Sequence, residues 1–199
     1  LGTRLRPLTN DKPKALVEVG GRTLLDIAVQ RLADEGAKRI VVNVHHFGNL
    51  MMDYIRSRNW PVELLVSDER NLLLDTGAGL KKAASLLSGD RPIMVYNVDI
   101  LSRFSLSAVL DNHIAHTASA TLAVSRRDTG RQLVFNEKGR LCGWHNRTTR
   151  ETLYSSNQAS KQSCNQELAF SGIAVYEPSL IDLLPNADHA YPIVPELLE

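Results

Sequence analysis

The sequence predicts an α/β fold in which helices cover a mainly parallel sheet. Along the first half of the chain, apolar runs rich in β-branched residues alternate with segments whose apolar positions recur at helical spacing. This alternation is typical of parallel sheets, because a crossover between parallel strands needs a helix or a long connection. The chain has 199 residues, 43% apolar and 23% charged, which suits one domain with a hydrophobic core.

The first half is predicted to alternate between helix and strand. Gly20-Gly21 makes a turn, and helical spacing then runs from Thr23 until Gly36 ends it. The following elements are a strand RIVVNVHH, a helix Gly48 to Arg58, a strand VELLVSD, a helix AGLKKAASLLSG with Asp75 or Thr76 as N-cap, and a strand PIMVYNVD closing on Asp99. Parallel sheets bind ligands beyond the carboxyl ends of their strands, so we expect a site there.

The second half contains more strand. Residues 105–116 are predicted to form a helix and ASATLAVS a strand, and QLVFNEKGRLCGW is predicted to be a β-hairpin around Asn136 to Gly139. Residues 145–166 are polar, which predicts a flexible loop over the site. ELAFSGIAVYEP returns to strand, and SLIDLLP and IVPELLE are predicted to be short helices.

Charge and cysteine content narrow the class of protein. The formal net charge of +1 gives no support to a nucleic-acid partner or an anionic membrane surface. No apolar run approaches the roughly 20 residues that span a bilayer. Cys142 and Cys164 stand far apart without a CxxC motif, which disfavours a zinc site or a disulfide framework. We therefore expect free thiols in a reducing cytoplasm, with no nucleic acid and no membrane involved.

The opening segment LGTRLRPLTNDKPKA has residues suited to binding phosphate. Gly2 lets the backbone approach an anion closely, Thr3 offers an N–H and a hydroxyl, and Arg4 can donate two parallel hydrogen bonds to phosphate oxygens. Lys14 follows as a point charge. A solvated basic tail is the alternative, but apolar residues and two prolines within the segment argue against it.

GTRLRPLT followed by PKAL resembles the signature of the sugar-1-phosphate nucleotidyltransferases, and the similarity continues through most of the chain. It is nearest to short bacterial enzymes of the mannose-1-phosphate guanylyltransferase and N-acetylmuramate-1-phosphate uridylyltransferase group. The resemblance implies a Rossmann-like three-layer α/β/α domain of the nucleotide-diphospho-sugar transferase type, with a mixed, mainly parallel sheet. Residues 1–104 would be its nucleotide-binding half and 105–199 its sugar-binding half.

Two family segments have no counterpart in the sequence. In the family, a hydrophobic strand with an Ala-Ala-Gly turn precedes the signature, and a second metal-binding aspartate lies in an Asp-Val-Gly-Thr-like turn near the C-terminal end. We expect the natural protein to extend beyond Leu1 and Glu199 and to include both.

The resemblance also implies the reaction and its cofactor. A sugar 1-phosphate oxygen attacks the α-phosphorus of a nucleoside triphosphate, and pyrophosphate leaves. Catalysis would come from charge neutralisation by Arg4, Lys14 and Mg2+, with Asp99 as the metal ligand because relatives carry that aspartate in an Asn-Gly-Asp or Asn-Ala-Asp sequence. Here the sequence is Asn97-Val98-Asp99. An aspartate after a strand is otherwise a turn or cap residue.

Further residues are assigned to substrate binding by the same resemblance. Asp75 to Gly79 resembles a glycine-rich segment that lies along the nucleotide base. The adjacent His45 and His46 are better explained by packing or loop contacts than by a metal, because neighbouring residues on a strand point to opposite faces. The expected nucleotide-binding residues are Leu1, Gly2, Thr3, Thr76, Gly77 and Asn97. The expected sugar-binding residues are Glu167, Ser171 and Gly172.

Several alternatives remain open at this stage. GTP and UTP are not distinguished, and the sugar is not identified. The bulk of Val98 and the absent second aspartate motivate an alternative from a different class of protein, a catalytically silent nucleotide-sugar sensor or partner subunit. Phosphocholine cytidylyl transfer would need an aromatic or acidic cage, which 6% aromatic residues do not favour. The expected protein is a cytoplasmic monomer or small homo-oligomer.

Overall fold

A computed structural model describes residues 5–87, 89–155 and 164–198 of the chain. Within these ranges the α-helices are α1 Leu24–Asp34, α2 Gly48–Arg56, α3 Thr76–Ala84, α4 Leu106–Ala115, α5 Pro178–Leu183 and α6 Ile193–Glu196. The strands are β1 Glu18–Val19, β2 Arg22–Thr23, β3 Arg39–Val44, β4 Glu63–Asp68, β5 Ile93–Tyr96, β6 Ala120–Ser125, β7 Arg131–Asn136, β8 Leu141–Asn146, β9 Glu151–Tyr154 and β10 Cys164–Tyr176. None of the described helices has the length and hydropathy that a membrane span requires.

The predicted helix boundaries are set by local caps. The side chain of Thr23 accepts a hydrogen bond from the backbone of Asp26, and the carboxylate of Asp26 accepts one from the backbone of Thr23, which forms a capping box at the start of α1. Gly36 has a φ of +96°, which suits a glycine just past the helix end. The predicted helix from Thr23 to Gly36 is therefore confirmed.

The strands β3 and β4 form a parallel pair connected through α2. Their register runs from Arg39 opposite Glu63 to Val44 opposite Asp68, so their carboxyl ends lie side by side. The apolar side chains of α1, α2 and this pair form one core cluster, which Ala15 and Leu16 of the opening segment also join. The 3-10 helix Lys14–Leu16 is thereby anchored in the same core cluster as Val44, the last residue of β3.

The strand β10 organises the second sheet. It pairs antiparallel with β5, β6 and β7, and its register with β6 shifts between Phe170 and Ala174. Gly172, with a φ of +79°, lies in this irregular region. The parallel pairing is thus found in β3–β4, and the pairs around β10 are antiparallel. The predicted α/β class with mixed strand pairing is confirmed, but the strand pairs of the described residues are mostly antiparallel, whereas a mainly parallel sheet was predicted.

A cavity of about 1080 Å³ is lined by residues of both β3 and β5. Within the described residues, β3 pairs with β4 and β5 pairs with β10, and no ladder joins β3 to β5. A second core cluster lies on the β10 side, where α3 packs against α5 and α6. Elements from both sequence halves therefore share this cluster.

Part of the range 145–166, which was predicted to be a flexible polar loop, forms strand instead, and residues 156–163 lie outside the described residues. The end of β8, the strand β9 and the start of β10 all lie within that range, and β9 pairs with β8. All four side chains of β9 are exposed, so this edge strand has no alternation between apolar and polar residues that the sequence could reveal. The predicted hairpin of β7 and β8 is confirmed.

The two cysteines form a disulfide, so the prediction of free thiols was wrong. Cys142 and Cys164 have Cα atoms 6.1 Å apart although 22 positions separate them in sequence. Both β8, which carries Cys142, and the start of β10, which carries Cys164, pair with β7. The bridge therefore follows from strand pairing, which sequence spacing does not show.

Reduction of this disulfide should lower the free energy of unfolding by about 3 kcal/mol, since an open loop of this length gains conformational entropy in the unfolded state. Urea unfolding with and without dithiothreitol measures the difference. A variant with both Cys142→Ser and Cys164→Ser is the control, because dithiothreitol should not change its urea unfolding midpoint. If dithiothreitol left the wild-type midpoint unchanged as well, the prediction would be wrong.

Candidate active site

Residues from three separate elements line one end of the cavity between β3 and β5. Lys14 comes from the 3-10 helix, Thr76 from the first turn of α3, and Asn97 from the segment that follows β5. The structure therefore brings together three of the residues that the sequence indicated. His45 and His46, which follow β3, also line this cavity.

Lys14 and Asp99 form an ion pair at this site. Lys14 Nζ lies 3.2 Å from Asp99 Oδ1, and the two side chains are 34% and 37% exposed. Lys14 is held in place because the next two residues, Ala15 and Leu16, are buried in the core. A half-exposed pair of this kind contributes only about 0–1 kcal/mol to stability. Both charges therefore remain available to a ligand at little cost to the fold.

Asp99 is also the residue that could hold a divalent cation. Within the described residues, no group of three or more His, Cys, Asp or Glu side chains has a metal-binding arrangement. Mg2+ commonly keeps several waters and uses one or two carboxylates together with substrate phosphates. A single accessible aspartate carboxylate facing a lysine therefore fits Mg2+ delivered with a polyphosphate, and does not fit a structural zinc site.

Asn97 is fixed by the irregular part of β10. Its N–H donates to the carbonyl of Gly172 at 2.9 Å, and its carbonyl accepts from Ile100 N at 3.0 Å in the turn that leads past Asp99. A Cβ added to Gly172 would lie 2.8 Å from Asn97 Nδ2. Gly172 is thus required both by its left-handed backbone and by this close approach. Beside it, Ser171 Oγ lies 3.4 Å from Ser125 Oγ.

Gly172→Ala should reduce the free energy of unfolding by about 3 kcal/mol, from a left-handed alanine and from the contact with Asn97. Gly139→Ala is the matched control, because Gly139 has a φ of +72° but no atom within 4 Å of the added Cβ. The control should lose only the backbone part, about 1–2 kcal/mol. Urea unfolding compares the two, and equal losses would show that the Asn97 contact is unimportant.

Residues 191–193 pack against the first turn of α3. Asp75 is the N-cap, Thr76 Oγ1 accepts from Ile193 N at 3.0 Å, and Gly77 N donates to Tyr191 O at 3.0 Å. A Cβ on Gly77 would lie 2.4 Å from the Tyr191 ring. Gly77 therefore has a packing role against Tyr191, and its expected contact with a nucleotide stays a prediction.

Glu167 lies on β10 within a cluster of charges. It accepts hydrogen bonds from Arg147 Nη2 at 2.6 Å and from His145 Nδ1 at 3.4 Å, and Arg147 Nη1 also donates to Asp128 at 2.7 Å. The hydrogen bond from Arg147 lowers the pKa of Glu167, so this carboxylate is ionised at neutral pH. Glu167, Ser171 and Gly172 lie on one strand, but they do not line the cavity that contains Lys14.

Arg147 was missed by the sequence analysis because its segment was interpreted as a loop. His145 lies in β8 and Arg147 in the turn directly after it, and both contact Glu167. The remaining predicted residues, Leu1, Gly2, Thr3 and Arg4, lie outside the described residues.

The chain is similar in sequence to known proteins. A family model described as nucleotidyl transferase matches residues 1–135. The N-acetylmuramate alpha-1-phosphate uridylyltransferase of Caulobacter vibrioides is 47% identical over 102 residues, which cover 50% of this chain and 42% of that protein. The mannose-1-phosphate guanyltransferase of Pichia angusta is 35% identical over 130 residues, covering 64% of this chain and 35% of that protein. The chain thus spans less than half the length of these relatives.

Solved structures resemble the chain in fold. The crystal structure of HddC from Yersinia pseudotuberculosis complexed with GMP-PN has a TM-score of 0.70 at 19% identity, covering 96% of this chain and 78% of that one. A UDP-glucose pyrophosphorylase complexed with UDP-glucose has a TM-score of 0.69 at 14% identity, covering 99% of this chain and 81% of that one.

Proposed function

We propose, from the premise that this chain belongs to the nucleotidyl transferase family, that it transfers a nucleoside monophosphate from a nucleoside triphosphate to a sugar 1-phosphate. The family membership expected from the sequence is confirmed by the match over residues 1–135. The products would be pyrophosphate and a nucleotide sugar. The observation that carries the proposal is the Lys14–Asp99 pair, 3.2 Å apart, beside a cavity that Thr76 and Asn97 also line.

The proposed reaction needs no general base. A phosphate monoester has a second pKa of about 6, so the attacking oxygen of the sugar 1-phosphate is already ionised at neutral pH. A bond forms between this oxygen and the α-phosphorus, and the bond from the α-phosphorus to the pyrophosphate oxygen breaks. The barrier comes from bringing two polyanions together in line. Catalysis therefore depends on neutralising and aligning charge.

The residues at the site suit this task. Lys14 can leave Asp99 and donate to phosphate oxygens, because its ammonium is half-exposed and carries three donors. Asp99 would hold Mg2+, which when bound supplies further positive charge at the phosphates. Arg4, outside the described residues, would add donors beside them. Asn97 would orient the nucleotide from the segment that follows β5.

At the sugar end, the ionised Glu167 would accept hydrogen bonds from sugar hydroxyls. Arg147 and His145 hold its carboxylate in one position, which reduces the entropy lost on binding. Ser171 and Gly172, on the same strand, would contact the acceptor phosphate end. These assignments place the nucleotide side at β3 to β5 and the sugar side along β10.

Two substrate pairs follow from the relatives. The Caulobacter vibrioides relative is named for N-acetylmuramate alpha-1-phosphate and uridylyl transfer, and the Pichia angusta relative for mannose 1-phosphate and guanylyl transfer. We propose one of these pairs for this chain. We further propose a monomer or small homo-oligomer that acts without nucleic acid or membrane. We place it in the cytoplasm because nucleoside triphosphates are available there, and the Cys142–Cys164 disulfide gives this location no support.

The test is a matrix of nucleotides and acceptors. Purified full-length protein would be given Mg2+, each of UTP, GTP, CTP and dTTP, and a panel that contains N-acetylmuramate 1-phosphate, mannose 1-phosphate and phosphocholine. We expect pyrophosphate release in one of the two proposed pairs. Release with CTP and phosphocholine alone would replace the proposed substrates. Nucleotide binding without release in any pair would instead indicate a silent nucleotide-sugar sensor.

A further inference from the structure

A buried carboxylate lies just past the end of β4 and has no part in the proposed chemistry. Glu69 is only 4% exposed. Its Oε1 accepts a hydrogen bond from Asn43 Nδ2 at 2.7 Å, and its Oε2 accepts one from Leu74 N at 3.3 Å. Burial raises the pKa of Glu69. A carboxylate in such a place costs free energy unless its oxygens are hydrogen-bonded, so these two donors matter.

The backbone of Glu69 ties the same two regions together. Its N–H donates to Val44 O at 2.7 Å, and its carbonyl accepts from Leu72 N at 3.1 Å. His45 Nδ1 also lies 2.6 Å from the Glu69 carbonyl oxygen. Because a carbonyl oxygen only accepts, the imidazole carries a proton on Nδ1. The polar groups of Glu69 thus connect the end of β3 to the loop of residues 70–75.

The network extends into α3 through Gly79. Asn43 Nδ2 donates to the Gly79 carbonyl at 3.2 Å as well as to Glu69. A Cβ at Gly79 would lie 2.9 Å from Asn43 Nδ2 and 3.1 Å from Glu69 Oε1. The last glycine of Asp75-Thr76-Gly77-Ala78-Gly79 is therefore explained by close packing on this network.

We infer that Glu69 is a positioning residue of the nucleotide subsite. Through Asn43 and the N–H of Leu74 it fixes the end of β3 against residues 70–79, so that His45 and Thr76 face one cavity. The inference rests on the proposed function, because it assigns the nucleotide to that cavity. It also predicts that the acceptor sugar, bound along β10, does not depend on Glu69.

Glu69→Gln tests the inference with little change in volume. The new NH2 group meets a donor, Asn43 Nδ2 or Leu74 N, and one hydrogen bond is lost. The KM for the nucleoside triphosphate should rise about 10-fold or more, while kcat and the KM for the sugar 1-phosphate stay within about twofold. Glu137→Gln is the control, since Glu137 is exposed in the turn between β7 and β8 and does not line the cavity. It should change none of the three constants.

Two results would overturn the inference. One is a folded Glu69→Gln protein with an unchanged nucleotide KM, and the other is an equal rise in both KM values, which a general loss of structure would produce. If Glu69→Gln does not fold, Gly79→Ala takes its place, because the added methyl displaces the network while alanine favours the helix. It should raise the nucleotide KM alone.

Equilibrium binding of UTP and GTP separates this inference from the proposed function. If the wild type binds nucleotide but releases no pyrophosphate, the proposed function fails. The inference is then decided by the dissociation constant of Glu69→Gln, which should be raised about 10-fold while that of Glu137→Gln is not. A wild-type protein that binds neither nucleotide would overturn both.

Discussion

Asp99→Asn should lower the rate of pyrophosphate release about 10³-fold. The amide keeps the size of the side chain but removes the negative charge that would hold Mg2+ and pair with Lys14, whose Nζ lies 3.2 Å away. The Mg2+ concentration needed for half-maximal rate should rise as well. Steady-state pyrophosphate release over a series of Mg2+ concentrations measures both effects.

Stability provides the check on that result. Because the side chain of Asp99 is 37% exposed, its replacement should shift the unfolding midpoint little. Asp182→Asn is the control, since Asp182 is exposed on α5 and does not line the cavity. Full Mg2+-dependent activity in Asp99→Asn would show that the metal assignment is wrong.

Lys14→Met should reduce kcat/KM about 10²-fold or more, because the polyphosphate loses a cation that neutralises charge in the transition state. Methionine keeps an unbranched apolar side chain of similar length and removes the charge. Initial rates at several ionic strengths measure the effect. The loss should be smaller at high salt, where the wild-type electrostatic advantage is screened.

Lys138→Met separates this effect from a general change in net charge. Lys138 is exposed in the turn between β7 and β8 and does not line the cavity that Lys14 lines. It should keep wild-type rates at every salt concentration. If Lys14→Met and Lys138→Met behaved alike, the role of Lys14 at the phosphates would have to be abandoned.

The sequence predicted most of the first half because its signals are local. The caps of α1, the apolar runs of β3 and β4 and the glycine at 36 each depend on neighbours within a few positions. Only the family resemblance gave Lys14 and Asp99, 85 positions apart, roles in the same reaction, and it did not predict that their side chains touch. The structure then placed the two side chains in contact.

The contacts that the sequence did not predict depend on the order of strands in the sheet. The disulfide and the Arg147–Glu167 contact both require β7, β8 and β10 to be neighbours. No local pattern encodes that arrangement, and the exposed edge strand β9 hid it further. The contact of Tyr191 with the first turn of α3 was missed for the same reason, because the two segments are distant in sequence.

The contact between α3 and the last described residues can form only late in the synthesis of residues 1–199. Thr76 Oγ1 bonds Ile193 N across 117 positions, so the start of α3 has no such partner until the segment near Ile193 has left the ribosome. Every described residue assigned to the nucleotide is translated in the first half of the chain. The start of α3 nevertheless reaches its described arrangement only after residue 193 has been translated.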